Sequence, residues 1–344
     1  MSRRWRSVVA GSLALAGLLL WLALDIYDRV KRPAVCTDGI TRTLLLPSGA
    51  GGQALVDSLL SIGALADTAT FVRWAHHRGL RIPKPGRYVL HPDLSIDDLV
   101  RKLRSGAQDP VQVTFSNIRD LDMLAEKVSR SLEPTKEAFL RAMYDPANYS
   151  GEHLEPATYI CLYLPNTYEF WWTTSPEAFL ARMQREHDAY WNEARLEQAG
   201  RIGLAPEEVA TLASIVQAET IRSEDAPRIA GVYLNRLRIG MPLQADPTLK
   251  FALGVDSVGR VLNVDKSIES PYNTYLHAGL PPGPIAMPEL RYIEAVLQAE
   301  KSDLLYFCAK DDLSGHSVFS RTYAEHLVNA RKYQRALDRR GIYR

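Results

Sequence analysis

The longest apolar stretch of the chain lies at its N-terminus. Eighteen residues, 7–24, carry no charge and are rich in Leu, Ala and Val, a length that can just span the hydrocarbon core of a bilayer. Arg3, Arg4 and Arg6 precede the stretch, and short basic tails of this kind favour the cytoplasmic side. We therefore expect a single transmembrane helix, with the rest of the chain on the outer side of the cytoplasmic membrane.

A cleaved signal peptide is the alternative interpretation of this stretch. Ala14-Leu15-Ala16 resembles a cleavage site, but it lies in the middle of the apolar run, where cleavage is not expected. An anchor fits better. We accordingly expect a cytoplasmic tail at residues 1–6 and a transmembrane anchor at residues 7–27.

The spacing of apolar residues after residue 40 predicts a small module. Ser95 and Asp98 form a capping-box-like start for its last helix, which ends at Gly106. The order of elements before that helix indicates a β-α-α-β module at residues 40–107. Its strands are Thr43–Leu46 and Arg87–Leu90, and its two helices carry Leu55, Leu59 and Ile62, then Phe71, Trp74 and Ala75.

Alternating apolar residues mark the start of a second region. Val111, Val113 and Phe115 have the period of a strand. We place the domain boundary near Gln108 and expect a larger α+β domain at residues 108–344, so that the whole chain is of the α+β class. The first helices of this domain are expected near residues 121–132 and 134–144.

The segment Leu162–Trp172 of this domain is expected to be an aromatic loop. Its five rings are interleaved with the polar residues Asn166, Thr167 and Glu169. Apolar ring faces beside polar groups suit a sugar, which has apolar faces and hydroxyl edges. Each ring taken alone is better explained as part of a core, because most aromatic residues are core, and the sugar-binding interpretation stays open as the alternative.

Composition argues against several classes of function. The 41 basic and 40 acidic residues are dispersed and give a net charge of +1, so we expect no nucleic acid partner. No Cys or His spacing resembles a zinc site, and no nucleotide-binding glycine pattern occurs. We therefore expect neither a metal nor a cofactor. Three cysteines are too few for a disulfide framework, although one Cys161–Cys308 bridge remains open.

One carboxyl group is distinguished by its helical phase. Pro206 begins a helix in which Val209, Leu212 and Val216 share one face with Glu219. A carboxyl at the end of an apolar stripe is partly desolvated, and desolvation raises its pKa towards the value that a general acid needs. Glu219 is therefore the candidate catalytic acid.

A structural salt bridge between Glu219 and a base such as Arg236 is the alternative. Neighbouring segments favour chemistry instead. Gln244–Thr248 packs an amide, a carboxylate and a hydroxyl into five residues, and the proline-stiffened Ser270–Tyr275 and Gly279–Ile285 offer polar and aromatic groups for hydroxyl recognition. Each of these segments, taken singly, could also be a structural loop.

Together and in this order, these motifs resemble the endolytic murein transglycosylase family, also called YceG-like or MltG. The resemblance covers most of the chain. The N-terminal module, with Pro85–Tyr88, is similar to the LysM-like domain of that family, in which a single N-terminal membrane span is usual. The motifs that carry the resemblance are Ala213–Thr220, Val232–Met241, Leu243–Thr248, Tyr272–Tyr275, Gly279–Gly283 and Gly315–His316 with Phe319.

The resemblance implies a peptidoglycan lytic transglycosylase in which Glu219 is the catalytic residue. Glu219 would protonate the glycosidic oxygen between N-acetylmuramic acid and N-acetylglucosamine, then take the proton of the muramic C6 hydroxyl as that oxygen attacks C1. The product is a 1,6-anhydro end, which would terminate a nascent strand. Expected partners are peptidoglycan glycan strands, the cytoplasmic membrane and peptidoglycan synthases of the penicillin-binding class. Candidate substrate-binding residues are Asn235, Arg236, Gln244, Asp246, Thr248, Tyr272, Asn273, Tyr275 and His316.

The chain departs from the family pattern next to the expected acid. Gln217 stands where an earlier Glu is often found, so a role of that carboxylate in tuning Glu219 is in doubt. Two rival functions stay open: a hydrolase that uses Asp246 or Glu224 as a second carboxylate, and a non-catalytic, membrane-tethered glycan-binding protein.

Overall fold

The computed structural model describes residues 3–149, 155–254 and 264–341 of the chain. Its regular structure in these residues is mostly helical and includes three two-stranded sheets, so the expected α+β class is confirmed. The chain divides into two compact units. Unit 1 comprises Met1–Val113, Ser131–Pro134 and Glu169–Thr174, and unit 2 comprises Thr114–Arg130, Thr135–Tyr168 and Ser175–Arg344.

The N-terminal helix α1 (Arg3–Lys31) belongs to unit 1. It covers residues 7–27, where the sequence predicts a membrane anchor. Within the described part of the chain, however, no helix combines the length and the apolar character needed to cross a membrane. Residues 1 and 2 of the expected cytoplasmic tail lie outside the described residues.

Unit 1 has the predicted order of strand, helix, helix and strand. β1 (Arg42–Leu46) pairs antiparallel with β2 (Gly86–Leu90), and α2 (Gly52–Ser61) and α3 (Thr68–His77) lie between them in sequence. The side chains that alternate inward from the two strands pack against apolar faces of the helices. This core includes Leu44, Leu46, Leu55, Leu59, Phe71, Tyr88, Leu90, Leu99 and Leu103.

The predicted capping box of α4 (Ile96–Ser105) is confirmed. The Ser95 hydroxyl accepts the Asp98 N–H at 3.1 Å, and the Asp98 carboxylate accepts the Ser95 N–H at 3.3 Å, so two amides at the helix start are satisfied. Gly106 ends the helix with a φ of +76°, a left-handed conformation that favours glycine.

The aromatic segment that we expected to be a loop contains a strand. β4 (Asn166–Phe170) pairs with β3 (Val111–Phe115), and strand alternation turns Tyr168 and Phe170 inward. Tyr168 stacks on Phe115 with 5.3 Å between the ring centroids. The loop prediction was therefore wrong for this stretch, and these rings belong to a core. The two predicted helices are present as α5 (Leu121–Ser129) and α6 (Lys136–Tyr144).

Unit 2 is built around α9 (Pro206–Glu219). Every residue from Val209 to Val216 is buried, so α9 is enclosed on all sides and not only along the single apolar face that periodicity suggested. Pro206 occupies the first turn, and the Glu208 carboxylate accepts the Ala205 N–H at 2.8 Å. The other elements are α7 (Pro176–Tyr190), α8 (Glu193–Ile202), α10 (Ala226–Arg238), α11 (Asp246–Leu253), α12 (Leu290–Leu297), β5 (Tyr306–Ala309), β6 (Ser317–Ser320) and α13 (Tyr323–Arg339).

All three cysteines are free thiols. Cys36 and Cys161 are buried, and Cys308 is partly buried on β5. The Cys161–Cys308 bridge that the sequence left open is therefore not formed, and the fold rests on packing and hydrogen bonds.

Candidate active site

Glu219 is the last residue of α9 and lies in unit 2. The next residue, Thr220, is extended, and its hydroxyl accepts the Arg222 N–H at 2.9 Å and donates to the Arg222 carbonyl at 3.0 Å. This local turn stops the helix and fixes where the Glu219 side chain begins. The unpaired carbonyls of a helix C-terminus carry partial negative charge, which disfavours a nearby carboxylate.

The surroundings of Glu219 favour its protonated form. Burial raises the pKa of its carboxyl to about 7; the hydrogen bond from Tyr233 opposes this rise, the negative charge of Asp246 adds to it, and the positive charges of Arg236 and Lys250 oppose it. Near neutral pH both the protonated and the ionised form of the group are therefore populated. A group in that state can both give and take a proton, as a general acid–base catalyst must.

Tyr233 is a site residue that sequence reasoning missed. Its hydroxyl donates to Oε1 of Glu219 at 3.1 Å, and the residue is 1% exposed. The sequence carried a signal, because Tyr233 lies one helical turn before Arg236 within a motif of the family resemblance. An aromatic residue among apolar neighbours on a helix is, however, most simply explained as core.

The hydrogen bonds of Arg236 go to backbone carbonyls rather than to Glu219. Its guanidinium donates to the carbonyls of Leu243 and Leu305, each at 2.7 Å, and lies 5.3 Å from the centre of the Tyr306 ring. Among the residues that the structure describes, Arg236 forms no ion pair with Glu219. The alternative interpretation of Glu219 as half of a structural salt bridge was therefore wrong.

Asp246 is the second carboxylate near Glu219. It is exposed and stands in the first turn of α11, so the segment Gln244–Thr248 is only partly the loop that we expected. The Tyr275 hydroxyl donates to its Oδ1 at 2.6 Å, and Lys266 lies 4.9 Å from the centre of the Tyr275 ring. The predicted residues Asp246 and Tyr275 are thus brought together beside Glu219.

Three predicted substrate contacts use their polar groups in hydrogen bonds to backbone carbonyls. Asn235 donates to the carbonyls of Ser302 and Leu304, and the Thr248 hydroxyl donates to the Ala245 carbonyl. Asn273 donates to the carbonyls of Lys266 and Ile268. All three are buried, so these hydrogen bonds stabilise the segments around Glu219.

The remaining predicted contacts are more accessible. Gln244 is exposed on a left-handed backbone with a φ of +53°, and Tyr272 packs against Phe251 with 4.6 Å between the ring centroids. His316 pairs through Nδ1 with Asp225 at 3.2 Å. Whether these side chains contact a substrate remains a prediction.

Gln217, the residue that departs from the family pattern, fastens a neighbouring segment. Its side-chain oxygen accepts the Glu289 N–H at 2.7 Å, and one turn earlier the Ser214 hydroxyl accepts the Ile285 N–H at 3.1 Å. The polar side of α9 thus holds the chain that follows the proline-rich loop. Gln217 does this without adding a charge near Glu219.

The arrangement suits proton transfer by a single carboxyl group. Within residues 3–149, 155–254 and 264–341, no group of His, Cys, Asp and Glu is arranged to hold a metal ion. Glu219 combines a pKa near neutrality with a fixed hydrogen-bond partner. Asp246 is the nearby carboxylate that could act with it.

Comparison with known proteins identifies relatives along most of the chain. Residues 44–332 match the model of the YceG-like family. The endolytic murein transglycosylase of Bacillus subtilis strain 168 is 29% identical over 313 residues, which is 85% of each chain. The Streptococcus pneumoniae D39 protein of the same name is 28% identical, over 85% of this chain and 58% of its own length.

A solved structure is also similar. The 2.6 Å crystal structure of a yceG-like protein from Listeria monocytogenes aligns with a TM-score of 0.55 and 28% identity, covering 84% of this chain and 98% of that one. The similarity therefore extends from sequence to fold.

Proposed function

Because the chain belongs to the YceG-like family, we propose that it is a lytic transglycosylase that cleaves the glycan strands of peptidoglycan. Relatives named endolytic murein transglycosylase support this function. The observation that carries it is Glu219, a carboxyl group at the end of the central helix, whose pKa burial raises to about 7.

The reaction needs one group that acts first as an acid and then as a base. We propose that Glu219 protonates the oxygen that links N-acetylmuramic acid to N-acetylglucosamine, so that the bond from C1 to this oxygen breaks. The Glu219 carboxylate then takes the proton of the muramic C6 hydroxyl as that oxygen bonds to C1. The product is a 1,6-anhydro end, Glu219 regains its proton, and no water is consumed.

Polar groups near Glu219 stabilise the charge that develops in the transition state. Positive charge develops on the muramic ring as the C1–O bond breaks. Asp246 is exposed and close enough for its charge to act on Glu219, which supports a role for it in stabilising this charge. The hydrogen bond from Tyr275 keeps the Asp246 carboxylate oriented.

A hydrolase is the second candidate, and the same observation on Asp246 favours it. In a hydrolase the second carboxylate activates water or attacks the sugar. The test is mass spectrometry of purified glycan strands after incubation in water enriched in ¹⁸O. A transglycosylase releases 1,6-anhydro ends without the label, whereas a hydrolase releases labelled reducing ends.

We also propose that the enzyme acts outside the cytoplasmic membrane, anchored by α1. The large apolar side chains of α1 from Leu13 to Ile26 are exposed, and so much exposed apolar surface is unfavourable in water. A reporter that is active only after export, fused behind Arg344, should be active, and the chain should stay with the membrane fraction after an alkaline wash. A reporter active only in the cytoplasm would contradict this location.

The proposal has two further parts. The β-α-α-β module of unit 1 is LysM-like and binds glycan, and the cleavage terminates nascent strands. Deletion of Thr43–Gly106 should weaken association with glycan strands without changing the released end, because Glu219 lies in unit 2. Circular dichroism would establish that the shortened chain is folded. A folded variant with full affinity for glycan strands would contradict the binding role.

A further inference from the structure

Tyr233 holds a fixed position beneath the Glu219 carboxyl. Its ring packs edge-on against Phe307, with 5.7 Å between the centroids and 86° between the planes. The neighbouring α10 residues Ile229 and Val232 are fully buried. Because the helix and the packed ring set where the hydroxyl lies, the carboxyl must adapt to the phenol rather than the reverse.

The hydrogen bond between these residues has a defined direction. Burial raises the pKa of Tyr233 well above its ordinary value, so its oxygen keeps its proton and donates it to Oε1 of Glu219 at 3.1 Å. A protonated carboxyl carries one hydrogen, and an oxygen that accepts the Tyr233 hydrogen bond is the carbonyl oxygen. The acidic proton then lies on Oε2.

The two oxygens also differ in their access to a substrate. Tyr233 is 1% exposed, so Oε1 faces the interior of unit 2. Glu219 as a whole is only partly buried, and among the described residues no hydrogen-bond partner occupies Oε2, so Oε2 is the oxygen left for a substrate. In the described part of the chain Tyr233 is the side chain that hydrogen-bonds Glu219, whereas the Tyr275 hydroxyl is used by Asp246.

We infer that Tyr233 is a positioning residue, which holds Oε1 so that Oε2 alone exchanges protons with the substrate. This inference rests on the proposed function. In the first step the Oε2–H bond breaks as the glycosidic oxygen takes the proton and leaves C1. In the second step the C6 hydroxyl gives its proton to Oε2 as the C6 oxygen bonds to C1, and the starting state returns.

Several charged or titratable groups lie near Glu219 and influence its pKa together with Tyr233. The charged ones are Arg236 on α10 and Asp246 and Lys250 on α11, and the neutral but titratable one is Tyr275 in the segment before α12. Tyr233 differs from all four because it touches the carboxyl through a hydrogen bond. Its removal should therefore change both the orientation and the titration of Glu219.

The test is Tyr233→Phe in the full chain, assayed for release of 1,6-anhydro ends across a range of pH. We expect kcat to fall about 10- to 100-fold because a reacting oxygen loses its orientation, while KM changes little because Tyr233 is buried. The acid form starts the reaction, so activity declines as pH rises through the Glu219 pKa. Losing the bond that stabilised the carboxylate should move this decline to higher pH.

Tyr190→Phe is the matched control. The Tyr190 hydroxyl donates to Oε1 of Glu294 at 3.0 Å, and both tyrosines pack on the same hydrophobic core of unit 2. Each variant loses one tyrosine–carboxylate hydrogen bond, and a purely structural effect would appear in the melting temperature of both. Only Tyr233→Phe should move the pH profile and lower kcat.

Replacement of Tyr233 by 3,5-difluorotyrosine covers the case in which Tyr233→Phe does not fold. The more acidic phenol keeps its shape and donates a stronger hydrogen bond, so the decline of activity should move to lower pH. Unaltered kcat and pH profile in a folded variant, or equal changes in Tyr190→Phe, would overturn the role of Tyr233. A wild-type chain that releases no 1,6-anhydro ends would overturn the proposed function itself.

Discussion

Each unit contains a carboxyl group beside apolar core, and the two groups have opposite surroundings. Asp97 of unit 1 is 1% exposed and accepts hydrogen bonds of 2.8 Å from each of Lys31, Trp74 and Arg78. Glu219 of unit 2 accepts one hydrogen bond, at 3.1 Å, from the uncharged hydroxyl of Tyr233. Both groups are displaced from water, but only Asp97 has cations within hydrogen-bond distance.

The pKa values follow the partners rather than the burial. Burial pushes the pKa of Asp97 upward, but the bonds from Lys31, Trp74 and Arg78 outweigh it and hold that pKa well below its usual range. At Glu219 burial is the largest influence and a single neutral donor does not cancel it, so the pKa rises to about 7. Asp97 is therefore a permanent anion that fastens unit 1, whereas Glu219 can change its protonation state near neutral pH.

The largest expected effect is that of Glu219→Gln on the reaction. The amide keeps the shape and the hydrogen bond from Tyr233 but cannot transfer the proton. General acid–base help is worth about 10² to 10⁴-fold in rate, and a sole acid–base group should reach the upper end. We expect a folded protein that releases almost no 1,6-anhydro product, measured by mass spectrometry of glycan strands.

Glu224→Gln is the control for this substitution. Glu224 is exposed on the turn between α9 and α10, and it was the other candidate for a second carboxylate. We expect its replacement to leave turnover unchanged. A folded Glu219→Gln enzyme with normal turnover would contradict the assignment of Glu219 as the acid–base group.

The second effect is on stability and concerns Asp97→Asn. A hydrogen bond to a charged group contributes about 1.5–3 kcal/mol, and Lys31 and Arg78 can rehydrate because they are 39% and 37% exposed. We expect unit 1 to lose stability in this range at pH 7, while turnover per folded molecule is retained. The fluorescence of Trp74, whose indole touches Asp97, would follow unfolding of this unit in urea.

The pH dependence of this loss follows from the lowered pKa of Asp97. Its contribution is present above the ordinary aspartate pKa of 3.8 and is lost as pH falls towards the folded-state value. The difference between wild type and Asp97→Asn should therefore shrink in acid. Asp57→Asn, at an exposed site on α2, should leave stability unchanged within about 0.5 kcal/mol.

The third effect has the opposite sign and concerns the stability of Glu219→Gln. A carboxyl whose folded pKa is raised from 4.5 to about 7 destabilises the folded state increasingly as pH rises through that interval. We expect the Gln variant to be more stable than wild type by roughly 3 kcal/mol at pH 8 and equally stable near pH 4, because each pKa unit is worth about 1.4 kcal/mol. Thermal melts of both proteins at the two pH values provide the measurement, and equal melting temperatures at pH 8 would contradict the raised pKa.

Sequence reasoning succeeded where local spacing decides structure. Helical phase predicted a partly desolvated carboxyl at Glu219, which is partly buried and has a raised pKa, and Ser95 with Asp98 predicted a cap that depends on neighbouring residues alone. It failed where distant segments decide. The strand Asn166–Phe170 requires a partner strand that lies more than fifty residues earlier in the chain, and no local sequence pattern predicts that pairing.

The walls of the active site show the same division. Polar residues in the motifs that follow Glu219 were assigned to the substrate, but Asn235 donates to carbonyls of a distant segment and Asn273 donates to carbonyls of its own loop. Only the tertiary fold decides which side a polar group faces, because an amide suits a sugar hydroxyl and a backbone carbonyl equally well. Tyr233 was missed for the converse reason, since its ring lies in the core while its hydroxyl donates to the carboxyl of Glu219.

The smallest expected effect is that of Asp246→Asn. This variant tests how much a neighbouring negative charge contributes to the difference between the raised pKa of Glu219 and the lowered pKa of Asp97. The negative charge of Asp246 raises the pKa of Glu219, though less than burial does, so its removal should lower that pKa. The screened interaction of an exposed charge is worth less than about one pKa unit. The decline of activity with rising pH should therefore move to lower pH by less than about one unit.

This direction is opposite to that expected for Tyr233→Phe, because one variant loses a neighbouring anion and the other loses a hydrogen-bond donor. Turnover below the decline should fall only modestly if Asp246 merely stabilises positive charge on the sugar. A loss of turnover as large as that of Glu219→Gln would instead make Asp246 the second carboxylate of a hydrolase. Glu219 would then not be the sole acid–base group.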